Sequence, residues 1–203
     1  MPPWLSNTFE KLLVGIISAA FVLALQWIQS EWTEKKSNHQ TARSIKEEIE
    51  AISTGVAAIQ IDGYPLADFE SMIAWGPAIK SITLLKKSTF SESFPEFVKI
   101  PHGVSETILF YSITESIGKN IDQLIKYSYI FRSENMASWN CNEATSDNRI
   151  KSYCSLFSAT TLHICDISNS AMKSSDICKN NRKGYKPAYI SMNAINALSM
   201  NNR

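Results

Sequence analysis

Glycine and proline are scarce in this 203-residue chain, with seven of each. The long stretches between prolines carry helix-period rather than alternating patterns, which argues against a sandwich or barrel. No proline falls between Pro3 and Pro65, so the backbone there is free to run as helix. An excess of one charge is also missing, because 20 basic residues stand against 19 acidic ones for a formal net charge of +1. That balance creates no global field favouring a polyanion, and nucleic acid is not an expected partner.

The signatures of site chemistry are missing as well. His39, His102 and His163 lie far apart, and the four cysteines form no C-x-x-C pair, so no zinc-ligand spacing exists. There is no glycine-rich phosphate loop and no G-x-S-x-G elbow. We therefore expect no catalytic residues, no metal and no cofactor, and read the chain as a non-enzyme. None of the asparagines lies in an N-x-[ST] sequon, a point against passage through a glycosylating compartment.

What is present begins with a long apolar run. Between Lys11 and Glu31 there is no charged side chain, an interval of about 19 residues against the ~20 that cross a hydrocarbon core as helix. Trp4 and Phe9 precede it, and Trp27 and Trp32 close it, as rings seated at two headgroup levels would. We expect one transmembrane helix from about Leu12 to Ile28, with residues 1–32 as tail and anchor and membrane lipid as partner. A signal peptide cleaved near Val22-Leu23-Ala24 is the rival, weakened by the single basic residue Lys11 ahead of it and by the apolar run continuing past the site. Gly15 with Ala19, and Ala20 with Ala24, are small-x-x-x-small pairs, and Gln26 is placed to bond across a helix interface. Lateral self-association, and hence a homo-oligomer, is the expectation from that face.

Flanking charge sets the expected topology, and cysteine usage is compatible with it. Lys35, Lys36, Arg43 and Lys46 follow the run, against Lys11 before it, and that bias puts the C-terminal domain in the cytoplasm, below the cell's inner membrane. Cys141, Cys154, Cys165 and Cys178 are then simply small buried apolar groups. The alternative is an exported domain carrying two disulfides. Cys154 and Cys165 share one predicted helix with ~16 Å of rise between them, too far to bridge, so each would pair with Cys141 or Cys178.

Helical periodicity dominates after the run. Ala42, Ile45, Ile49, Ile52, Val56 and Ile59 recur every three or four positions, with Lys46, Glu47, Glu48 and Glu50 on other faces. Residues 33–61 read as an amphipathic helix, either a self-associating stalk or the first helix of a bundle, ending at Asp62-Gly63-Tyr64-Pro65. In residues 62–203 we expect a short helix through Leu66, Phe69, Met72 and Ile73, a break at Trp75-Gly76-Pro77, and a second segment from that proline. Ser88 to Pro101 reads as a loop pinned by Phe90, Phe94 and Phe97. The longest helix of this domain should start near Val104 with Ser105 as cap and is described by Ile108, Tyr111, Ile117, Ile121, Leu124, Ile125 and Tyr129. Further helices are expected over Asp147–Ile167 and Pro187–Met200. Lys179, Arg182, Lys183 and Lys186 form the one local basic cluster, a candidate contact for an anion or lipid headgroup.

The fold class expected is thus all-α: a transmembrane helix followed by a helical-bundle domain. Its expected function is a membrane-anchored interaction or sensor module with a protein partner. A membrane-perturbing effector of an antiviral or toxin system is the alternative.

Overall fold

The computed structural model describes residues 3–61, 69–84, 87–134, 141, 146–168 and 189–202. Among these residues there are six α-helices and no strand. They are α1 (Pro3–Ile61), α2 (Phe69–Leu84), α3 (Lys87–Phe97), α4 (Val104–Ser133), α5 (Asn148–Ile167) and α6 (Ile190–Ser199), followed by a 3₁₀ turn over Met200–Asn202. The chain divides into two compact units, Met1–Gln40 and Thr41–Arg203, with the division falling inside α1.

In the second unit α4 is the central element, packing against α2, α5 and α6. Its inward face carries Phe110, Tyr111, Ile117, Ile121, Leu124 and Phe131, all buried. The C-terminal part of α1 presents Ala42, Ile45, Ile49, Ile52 and Val56 to the same core, each essentially without solvent exposure. The side chain of Ile59 lies outside the described residues. Helix α2 runs antiparallel to α4. The ion pairs Lys80–Asp122 and Glu70–Arg132 mark the register, but their exposure limits them to a small contribution.

Four sequence expectations need correction. The first concerns α2, which passes straight through Gly76-Pro77 rather than breaking there. Pro77 is exposed, and the carbonyl it cannot bond, that of Ile73, lies on the same side of the helix one turn back, at a residue that is only half-buried. Met72 and Ile79, buried on either side of the proline, favour one rod over two. Gly76 permits the close approach, since a Cβ there would stand 2.9 Å from Ile125 carbons.

Second, the segment after Ser88 contains helix α3 rather than a loop, with Pro95 inside its last turn. Phe90 and Phe97 are buried while Phe94 remains exposed, and Phe90 stacks on Tyr111 with ring centroids 4.1 Å apart.

Third, α4 is not capped by Ser105. Gly103 is the N-cap residue, in the left-handed region at φ 92°, and the Ser105 hydroxyl donates to Glu106 instead. Ile108 and Tyr129 of the same apolar series are exposed. The last correction is Glu48, which is buried although expected on a polar face of α1.

The C-terminal elements follow the pattern closely. Asp147 is the N-cap of α5 and accepts from the Arg149 N–H, which satisfies one of the orphan donors of the first turn. Ile190, Ala194 and Leu198 bury one face of α6. Asn201 then closes the end: its Oδ1 accepts from His102 N–H at 3.2 Å and its Nδ2 donates to His102 O at 2.9 Å.

Candidate functional site

Three places in the chain stand out from an ordinary helical core. The first lies in the N-terminal unit. Ile16, Ile17, Phe21, Val22, Leu23, Leu25, Trp27, Ile28 and Trp32 are all exposed, from 46% at Ile28 to 75% at Trp32. At 3.6 residues per turn these positions cover the whole circumference of α1, whereas a helix on a globular surface keeps one polar face. Gly15, Ala19, Ala20, Ala24 and Gln26 lie in the same exposed stretch. A Cβ on Gly15 would meet nothing within 4 Å.

Just beyond this stretch, two hydroxyls bond back to the helix's own carbonyls. Ser30 Oγ donates to Trp27 O at 2.9 Å, and Thr33 Oγ1 donates to Gln29 O at 2.8 Å. The first ion pair, Glu31–Lys35 at 3.1 Å, follows directly. Among the described residues no helix is long and apolar enough to cross a membrane. Leu12, Leu13 and Val14, which open the expected span, have side chains outside that set.

The second place is a buried polar contact in the other unit. Tyr111 Oη donates to Glu48 Oε1 at 2.8 Å. Burial pushes the Tyr111 phenol well above its ordinary value, and the hydrogen bond to Glu48 and the negative charge of that carboxylate act in the same direction. The phenol thus remains a donor throughout the physiological range. Glu48 falls in the i, i+3, i+4, i+7 series with Ile45, Ile49 and Ile52, and that position is the sequence signal that it faces the core. Such a pair ties α1 to α4. Nothing in it resembles an acid and base poised at neutral pH.

The third place is the connection from α4 to α5. Cys141 and Cys154 form a disulfide with Cα atoms 5.4 Å apart, and Cys165 is disulfide-bonded too. Cys141 and Cys154 pack against the core, where Tyr127, Phe131, Tyr153 and Phe157 form a chain of ring contacts. Arg149 bridges Glu134 and Asp147 across the same connection. Hydrogen bonds from the Arg149 side chain and backbone hold Asp147 below its usual range.

Other expected site residues remain apart. Ile45, Ile49, Ile52 and Val56 are consumed in this chain's own core. Lys179, Arg182, Lys183, Lys186 and Cys178 lie outside the described residues. Among the described residues no three His, Cys, Asp or Glu side chains gather as they would around a metal ion. Comparison with known proteins returns no match: no family model, no curated protein and no solved structure is similar to this chain.

Proposed function

We propose that the chain is a membrane-tethered helical module, anchored by α1 and acting through binding by its second unit rather than through catalysis. The carrying observation is the stretch from Ile16 to Ile28, apolar and exposed around the full circumference of the helix. Water penalises such a surface by about 25 cal/mol for every Å², and a bilayer removes the penalty on all sides at once. A partner protein seated on one face would leave the other faces wet. The second unit is built around apolar side chains, and Glu48, its buried carboxylate, is held by Tyr111. That composition supports a scaffold whose outer surface does the recognising.

Along the span, Gly15, Ala19, Ala20, Ala24 and Gln26 supply the face through which copies would pack side by side. Self-association is therefore part of the proposal, with lipid covering the rest of the helix. The test is flotation of the full chain with lipid vesicles after an alkaline carbonate wash. The wild-type chain should float. Phe21→Lys together with Leu25→Lys should not, since each central lysine opposes insertion by about 2.5–3.5 kcal/mol. A wild-type chain left at the bottom of the gradient contradicts the anchor.

A further inference from the structure

The side of the membrane on which the helical unit lies is written in its cysteines. We propose that the second unit folds on the oxidising, non-cytoplasmic side, with Cys141–Cys154 and the disulfide of Cys165 formed during translocation. The inference rests on α1 being an anchor, and it departs from the cytoplasmic side expected from flanking charge.

Three observations carry it. Among the described residues no cysteine is free, whereas a cytosolic domain keeps its thiols reduced. Cys141 and Cys154 have Cα atoms 5.4 Å apart, inside the range a relaxed disulfide spans, and the bond closes the connection between α4 and α5 onto the core. Cys165 is fully buried and bonded. An oxidant does not reach a sulfur with no solvent exposure, so that bond must form before or while the unit folds. Folding and oxidation then share a compartment.

The opposing charges weigh less than their number suggests. Lys35, Lys36, Arg43 and Lys46 stand ahead of a domain, and long domains translocate largely regardless of flanking charge. Lys11 remains available to hold the other end of the span on the cytoplasmic face.

The chemistry is thiol–disulfide exchange with a disulfide donor protein. A thiolate from one of the two cysteines attacks a donor sulfur, forming a mixed disulfide and releasing the donor's other sulfur as a thiolate. The second cysteine thiolate attacks the cysteine sulfur of that mixed disulfide, the Cys141–Cys154 bond forms, and the donor leaves fully reduced. Two electrons pass to the donor, which takes up the two thiol protons.

The test uses the full chain in cells, quenched with acid, denatured and treated with a maleimide-linked polymer with or without prior reduction. The expected result is no added mass before reduction and four adducts after it. The variant Cys141→Ser with Cys154→Ser should give two adducts after reduction and none before. Any adduct on the unreduced wild-type chain overturns the inference. Flotation separates this outcome from failure of the anchor: an oxidised chain that does not float removes the tether and leaves the oxidising compartment standing, whereas a reduced chain that floats does the reverse.

Discussion

Tyr111 and Glu48 meet inside the core, the phenol donating a 2.8 Å hydrogen bond to the carboxylate from helices that are distant in the chain. Because Phe90 stacks on the same ring, one side chain joins α1, α3 and α4. Replacing Tyr111 by Phe keeps the stacking and strips the donor from a buried carboxylate. The expected cost is about 1–3 kcal/mol, read by denaturant unfolding of the detergent-solubilised chain. Glu48→Gln in the Tyr111→Phe background should cost less than Glu48→Gln alone. Additive costs would mean that the two side chains do not interact energetically.

The same contact fixes a pH dependence. Tyr111 is held neutral in the folded chain, above its ordinary value of 10.0. Its contribution to stability is therefore complete below about pH 10 and declines above it, where the unfolded chain releases a proton that the folded chain retains. At the acid end Asp147, held low by Arg149, contributes above its ordinary value of 3.8, and that contribution is lost as pH falls below it. Thermal unfolding across pH should show both limbs. Tyr111→Phe should flatten the alkaline one and Asp147→Asn the acid one.

Gly103 holds the start of α4 at φ 92°, and a Cβ there would stand 3.0 Å from the Leu198 backbone nitrogen. Gly103→Ala should destabilise by at least about 1–2 kcal/mol, the cost of placing an L side chain in the left-handed region, with more from the collision. A melting temperature unchanged from wild type would show that the junction of α4 with α6 adjusts freely.

Thr107 is fully buried on α4, and its hydroxyl has no hydrogen-bond partner among the described residues. Thr107→Val keeps the shape and removes the polar group. Stability should be unchanged or higher by up to about 1 kcal/mol. A clear loss in chemical denaturation would mean that the hydroxyl is satisfied and contributes.

The apolar stripes of α1, α4, α5 and α6 were legible because burial follows the 3.6-residue period there: Ile45, Ile49, Ile117, Leu124, Ile164 and Leu198 are all buried. Proline was over-read. Pro77 reads as a break and Pro95 falls in a segment that reads as a loop, yet both sit exposed inside helices, where a lost hydrogen bond is offset by neighbours buried on the opposite face. Phe90 and Phe97, one above the other on α3, already carried the helical spacing. The cap at Gly103 was hidden because the left-handed turn depends on Leu198 and Asn201, which are remote in the sequence. Disulfide pairing is a matter of three-dimensional proximity, so spacing alone excluded Cys154–Cys165 and left the other pairings open.

The central claim is that the exposed apolar stretch of α1 faces lipid. The most direct measurement reconstitutes the full chain in vesicles containing a photoactivatable phospholipid with its reactive group deep in the acyl chain, then maps the adducts by peptide mass spectrometry. The account predicts adducts within residues 16–28, on more than one side of the helix, and none on the buried face of α4. Adducts absent from that stretch, or confined to the second unit, would contradict it.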